Sequence, residues 1–219
     1  MVITEQALEL KKLEKDRVAL ENTNNNPAIA AAMAKFGYTD VVMDEGRALY
    51  TKTRNTYDAN TIEEEETTEA YNKFTNDFKA LNDRYNQHRS LAKIVFKNDG
   101  VNFVKLALQG MKSKAYVYKM ETIRTFYRVA LSDTNIQTKL ARFMITPESL
   151  QESLSLLELT ETNRAEYLNE KGESQEATRL KDIALQELDH WMSDFYQVAR
   201  IALADQPQLL EVLGIKVKR

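Results

Sequence analysis

The second half of the chain resembles the first, and this internal repeat constrains the fold more than any other feature. Residues 29–108 align with residues 136–215 without a gap. Identical pairs occur at apolar and polar positions alike, and they include Ala34/Ala141, Phe36/Phe143, Thr39/Thr146 and Glu45/Glu152. Two copies of this length predict two domains or one pseudo-symmetric domain, not a solenoid of short units.

The composition predicts that both copies are helical. Apolar residues make up 43% and charged residues 29% of the 219 residues, so the chain can bury a core. With only 6 Gly and 3 Pro there are few turns, and long elements of this composition are helices. The absence of cysteine rules out disulfides and thiolate chemistry. A net charge of −3 argues against binding to nucleic acid, which requires clustered Lys and Arg.

Local signals place the helices of the first copy. A helix over residues 2–22 precedes an Asn-rich loop and a short helix over 28–36, which ends at Gly37. Thr39 is expected to cap a middle helix that runs to about residue 58. The run Glu63–Glu66 could suggest a cation site, but it is better explained as the solvated first turn of a further helix.

In the second copy the same signals predict a Thr146 cap followed by Pro147 and a middle helix that runs to about residue 169. Gly172 is expected to mark the following loop. The last long helix should end near residue 204, with a short segment over 206–213 after it.

The fourth helix of the first copy carries the clearest pattern. Apolar and aromatic residues recur in two series spaced by seven, which read Tyr71, Phe78, Tyr85, Ala92 and Phe74, Leu81, His88, Val95. This a/d pattern predicts a helix whose inner side packs along a bundle. The matching positions of the second copy include Leu188, Phe195 and Ala199.

These elements predict an all-α fold that is internally duplicated. We expect two pseudo-symmetric, antiparallel units of four-helix type, with residues 1–108 as the first bundle and 109–219 as the second. A long helix over residues 101–131 is expected to join them.

A metal-binding bundle is the alternative that the sequence offers. A dimetal-carboxylate site requires Glu-x-x-His on two helices, and the chain has one such motif, Glu187 to His190. The corresponding residues of the first copy, 80–83, lack both ligands. The heptad phase also places Glu187 and His190 away from the inner side. The alternative function is thus a metal-binding or small-ligand-binding bundle that uses Glu187, His190 and Asp194.

The remaining candidate residues are better explained by structure than by chemistry. His88, which aligns with Phe195, is expected to fill space in the core and to form a hydrogen bond. The other clustered aromatics are expected to be core residues rather than ligand contacts, and they are Phe126, Tyr127, Trp191 and Tyr196. Charges of mixed sign along helix 1 and a basic tail at residues 215–219 are expected to be solvated.

Two segments resemble parts of an uncharacterised bacterial family of all-helical proteins. They are Ala34-Lys35-Phe36-Gly37-Tyr38-Thr39 with Glu45-Gly46, and residues 207–215. The resemblance covers about a third of the chain and implies tandem helical bundles. It implies no activity and no site residues.

The function expected from the sequence is a non-enzymatic, soluble helical scaffold or protein-interaction module in the cytoplasm. No residue is assigned as catalytic, cofactor-binding or metal-binding, since two histidines and no cysteine leave little for acid–base or nucleophilic catalysis. No apolar stretch has the length of a signal peptide or a membrane span. The expected partner is another protein, bound in an outer groove or at the junction between the copies. Nucleic acid, membrane and cofactors are not expected, and the chain is either a monomer or a homodimer.

Overall fold

The computed structural model of the protein describes residues 5–110 and 115–217, and every regular element in these ranges is an α-helix. Eight helices occur there: α1 (Glu5–Asn25), α2 (Pro27–Ala34), α3 (Asp40–Val95), α4 (Gly100–Lys105), α5 (Tyr116–Ser132), α6 (Thr134–Ala141), α7 (Pro147–Ala202) and α8 (Gln208–Val212). The predicted all-α class is confirmed. The start of the predicted first helix, residues 2–4, and the last two residues of the basic tail lie outside the described residues.

The helices α3 and α7 each continue for 56 residues. The predicted breaks near residue 58, near residue 169 and at Gly172 were wrong, and Glu63–Glu66 lies inside α3 rather than in a first turn. Neither predicted break contains a proline, and one glycine costs a helix only about 1 kcal/mol relative to alanine. The predicted Asn-rich loop is also shorter, because α1 continues to Asn25 and buries Thr23 on its way.

The predicted helix that joins the two copies was wrong as well. Helix α4 ends at Lys105, and α5 begins only at Tyr116. Two residues between them adopt left-handed backbone conformations, Ala107 with φ of 53° and Gly110 with φ of 64°. Such residues end a right-handed helix. Residues 111–114 of the predicted joining helix lie outside the described residues.

Caps and left-handed residues set several further helix ends, of which the sequence predicted those at Gly37 and Thr146 but not the one at Met144. Gly37 follows α2 with φ of 91°, and Met144 follows α6 with φ of 62°. The Thr146 hydroxyl accepts a hydrogen bond of 3.3 Å from the backbone N–H of Ser149 at the start of α7. Helices α2 and α6 begin and end at equivalent positions of the sequence repeat, and so do α3 and α7.

The described helices form two compact units. The first unit combines residues up to Glu64 with residues from Glu173 onward, and therefore contains α1, α2, α8, the first part of α3 and the last part of α7. Within it the two long helices run antiparallel, because Lys52 meets Glu187 at 2.6 Å and Asn60 meets Thr178 at 3.1 Å. The core residues are contributed by all of these helices, and they include Leu20, Ile29, Met43, Leu188, Phe195 and Leu210.

The second unit consists of residues 65–172 and contains α4, α5, α6, the last part of α3 and the first part of α7. Its core is rich in aromatic side chains and includes Leu81, Tyr85, Phe96, Phe126, Tyr127 and Leu150. The two long helices are antiparallel here too, as Lys73 meets Glu166 at 2.9 Å and Asp77 meets Asn163 at 2.5 Å. The predicted heptad pattern is buried from Leu81 to Ala92, whereas Val95 is half-buried and Tyr71 is 48% exposed.

Each compact unit therefore contains residues from both predicted copies. The predicted domain boundary between residues 108 and 109 follows the sequence repeat, whereas the two compact units follow the packing of the helices. That boundary stays a prediction. None of the helices in the described ranges combines the length and the hydropathy needed to cross a membrane.

Candidate functional site: the Trp191 pocket

A surface pocket of about 600 Å³ lies in the first unit beside the last part of α7, and we call it the Trp191 pocket. Tyr38 and Leu49 line one side of it. The other side is a face of α7 formed by Ile183, Gln186, Glu187, His190, Trp191 and Asp194. Spacings of three and four residues bring these side chains to the same face of a helix. The volume falls within the range of pockets that bind small ligands.

Gly46 makes room for the indole ring of Trp191. A Cβ atom at position 46 would stand 2.3 Å from the Cη2 atom of Trp191, well inside van der Waals contact. Because Gly46 is buried inside α3, this close approach explains a glycine in a position where it weakens the helix. The indole is therefore fixed by packing against backbone.

Aromatic rings surround the indole on its other sides. Tyr38 contacts Trp191 edge to face, with 5.6 Å between ring centroids and an angle of 74°. Phe195, which is fully buried, stacks on Trp191 at 5.6 Å and 14°. Trp191 itself is half-buried, so part of its surface remains open to the pocket. An aromatic ring face that stays open to solvent attracts cations.

Carboxylates add negative charge to the same pocket. Asp194 is exposed, and none of the described residues forms an ion pair with it. Burial raises the pKa of Tyr38 above its ordinary value, and the negative charge of Asp194 raises it further. Glu187 pairs with Lys52 at 2.6 Å, so its charge is already neutralised.

The three residues of the alternative prediction line this pocket together. Glu187, His190 and Asp194 are all exposed on the outer side of α7. Among the described residues, their ligand atoms are not among those that gather within 4.8 Å of one another. The arrangement can hold a cation by ring faces and one free carboxylate, rather than by three ligands at bonding distance.

The other aromatic candidates lie in the cores. Phe126, Tyr127 and Phe195 are fully buried, and Tyr196 is nearly so. His88 is 8% exposed, and its Nδ1 atom lies 3.3 Å from the hydroxyl of Tyr127. Burial lowers the pKa of His88, and nearby Arg84 lowers it further. His88 is thus a buried ring with a hydrogen-bonding partner, as the sequence predicted.

Sequence reasoning missed the part that Gly46 and Tyr38 play in the pocket. The available signal was a glycine within an otherwise strong helix pattern, which often indicates a close approach by another group. The second unit has different residues at the positions that the repeat aligns with Gly46 and Trp191. Ser153 stands at the position of Gly46 and Arg84 at that of Trp191.

Comparisons with protein-family models, with characterised proteins and with solved structures find no match to this chain. The site must therefore be interpreted from its own geometry. The resemblance to a bacterial helical family stays a prediction.

Proposed function

We propose that the chain is a non-enzymatic helical interaction module whose Trp191 pocket takes up a cationic side chain, arginine or lysine, of a partner protein. It would act in the cytoplasm as a monomer or a homodimer. The observation that carries the proposal is the half-buried indole, fixed against Gly46 and flanked by Tyr38 and the unpaired carboxylate of Asp194.

The strength of such contacts favours a protein partner over a free cation. A cation over an aromatic face contributes about 0.5–2 kcal/mol. An exposed carboxylate adds about 0–1 kcal/mol. Since a dissociation constant of about 1 mM already corresponds to about 4 kcal/mol, an isolated cation should bind weakly. A useful affinity requires further surface around the pocket, which a protein partner supplies.

The metal-binding alternative finds less support. Its three residues are exposed, and Lys52 already neutralises Glu187 at 2.6 Å. Metal analysis of the purified protein distinguishes the two functions. Stoichiometric iron, manganese or zinc would overturn the proposal, whereas substoichiometric metal agrees with it.

Fluorescence offers a direct test, because Trp191 is the only tryptophan of the chain. We expect N-acetyl-arginine amide to change the Trp191 emission saturably in the millimolar range, and neutral N-acetyl-glutamine amide to leave it unchanged at matched ionic strength. Asp194→Asn should weaken the binding of the arginine probe about two- to fivefold.

Asp205→Asn is the matched control, since it removes an exposed carboxylate from the same unit outside the pocket. It should bind the arginine probe like the wild-type chain. Equal responses to the arginine and glutamine probes would refute the proposal, and so would an unchanged affinity in Asp194→Asn.

We further propose that the two halves derive from one duplicated helical unit and that both compact units are pseudo-symmetric. The equal spacing along the chain between α2 and α6 and between α3 and α7 supports this. So does the short helix that follows each long one, α4 after α3 and α8 after α7. An experimental structure tests it by superposing one unit on the other, and unlike paths of the matched helices would contradict it.

A further inference from the structure

A second surface feature of the first unit is a groove of about 760 Å³ between α1 and the chain that follows α8. We call it the basic groove. Its apolar lining comes from Leu8, Val18 and Ile215. Five cationic side chains stand around this lining, and they are Lys11, Lys12, Lys15, Arg200 and Lys216. The groove lies apart from the Trp191 pocket, since the two share no lining residue.

The positive charge of the basic groove is only partly offset by its neighbours, among which Glu14 and Asp16 are acidic. Lys12, which also lines it, is paired with Asp189, and the one acidic lining residue, Glu14, is held by Arg17 at 2.7 Å. The other four cations form no ion pair with any residue in the described ranges, although the charge of Lys15 acts on nearby Asp16. A chain with a net charge of −3 thus concentrates positive charge at this groove.

Lys15 is held in place within the groove. Its stem passes beside Gly214, where a Cβ atom would stand 3.5 Å from the Cγ atom of Lys15. Its ammonium group lies 4.2 Å from the centroid of the Tyr196 ring. The hydroxyl of Tyr196 in turn donates a hydrogen bond of 2.9 Å to Asp16. A cation that is positioned before binding loses little side-chain entropy when an anion arrives.

We infer that the basic groove binds a small amphiphilic anion, a carboxylate with an unbranched apolar chain. The apolar lining fits the chain, and the surrounding cations complement the carboxylate. The volume agrees with a small ligand, because pockets for such molecules measure about 300–1,000 Å³. This inference is independent of the Trp191 pocket, so either can fail without the other.

Titration calorimetry on the full chain tests the inference with dodecanoate below its micelle concentration. We expect saturable binding of one dodecanoate per chain. Acetate, which has the head group without the chain, should not bind measurably, and neither should dodecyl maltoside below its micelle concentration, which has the chain without the charge. Binding of both dodecyl compounds with similar affinity would overturn the inference, because it would show a surface without charge selectivity.

Charge reversal locates the site. Lys11→Glu with Lys216→Glu should weaken dodecanoate binding at least about tenfold, since attraction becomes repulsion at two sides of the groove. The matched control is Lys97→Glu with Lys105→Glu, which makes the same charge change at exposed positions of the second unit and should alter the affinity less than about twofold.

Circular dichroism of both double variants establishes that they fold before binding is compared. Equal losses in the two variants would overturn the inference, as would unchanged binding in K11E/K216E. Absence of dodecanoate binding to the wild-type chain, with binding to phosphatidylglycerol vesicles instead, would also overturn it in favour of a membrane surface.

Discussion

The indole of Trp191 occupies the space that a side chain at position 46 would need. A Cβ atom built on Gly46 would stand 2.3 Å from Cη2 and 2.6 Å from two further ring atoms of Trp191. These atoms belong to a rigid ring that is stacked on Phe195, so the ring cannot turn aside without disturbing the core. The pocket therefore depends on the absence of a side chain at one position of α3.

Gly46→Ala is expected to destabilise the protein by about 1–3 kcal/mol, the usual cost of forcing extra volume into a packed site. Thermal or urea unfolding measures this cost, and the Trp191 emission should shift as the ring moves. Gly172→Ala is the matched control, because it lies in α7 with no atom within 4 Å of an added Cβ. That change should stabilise by about 0.5–1 kcal/mol through helix propensity.

A double-mutant cycle then attributes the effect to the indole. In a Trp191→Ala background the added methyl group at position 46 meets no ring, so Gly46→Ala should cost much less there. An equal cost in both backgrounds would contradict the assignment of Gly46 as the residue that makes room for Trp191.

Asp16 is expected to make stability depend on pH. It is 1% exposed, one carboxylate oxygen accepts a hydrogen bond from Tyr196, and the other has no hydrogen-bond partner among the described residues. Burial raises the pKa of Asp16 above its ordinary value of 3.8, against the opposing effects of Tyr196 and Lys12. Since the folded state then holds the proton more tightly than the unfolded state, stability from this group falls as pH rises above 3.8.

Comparison with Asp16→Asn isolates this effect, because asparagine does not titrate and still offers an oxygen to Tyr196. The free energy of unfolding of the wild-type chain minus that of the variant should be larger at pH 4 than at pH 7. Urea unfolding at several pH values measures the difference, and a difference that grows with rising pH would be the opposite of what burial predicts.

His88 is expected to make stability depend on pH in the opposite direction to Asp16. Burial lowers its pKa below the ordinary value of 6.5, so the unfolded chain takes up a proton first as the pH falls. Stability from His88 is therefore present above 6.5 and is lost as the pH falls towards the lowered pKa.

His88→Phe removes this loss, and phenylalanine already stands at the matching position, Phe195. The melting temperature of the variant minus that of the wild-type chain should be larger at pH 5 than at pH 7. His190→Asn controls for the removal of an exposed histidine. If the difference in melting temperature between His88→Phe and the wild-type chain stays constant over this range, folding does not lower the pKa of His88.

The two compact units predict which fragments of the chain fold cooperatively. Residues 65–172 contain the whole of one aromatic-rich core, whereas residues 1–108 contain parts of two cores. The fragment 65–172 should therefore show helical circular dichroism and a cooperative melt, while the fragment 1–108 should melt without a sharp transition. Cooperative folding of 1–108 together with failure of 65–172 would favour the boundary drawn from the sequence repeat.

Local signals in the sequence were sufficient for the helical class and for several helix ends. The left-handed conformation of Gly37 and the cap formed by Thr146 depend on neighbouring residues alone, so both could be predicted. The continuity of α3 and α7 could not, because weak helix formers such as Gly172 are tolerated once packing supports the helix. Left-handed Ala107 was likewise unexpected, since alanine rarely adopts that conformation.

Long-range contacts explain what the sequence missed in the site. The pairing of Gly46 with Trp191 joins residues from different predicted copies, and no local pattern links them. Thr53 gives a similar case, because its buried hydroxyl donates a hydrogen bond of 3.0 Å to the carbonyl of Ala184 on the facing helix. Periodicity alone identified the outer face that carries Glu187 and His190, but not the ring beside it that gives this face a pocket.

The most direct test of the proposed function is to map where an arginine side chain binds. Trp191 is the only tryptophan, so its indole N–H gives a single resonance in a ¹H–¹⁵N correlation spectrum. On titration with N-acetyl-arginine amide, we expect this resonance and the backbone amides of Tyr38, His190 and Asp194 to shift saturably, with smaller shifts in Asp194→Asn. An indole resonance that stays in place while other amides move would contradict the account.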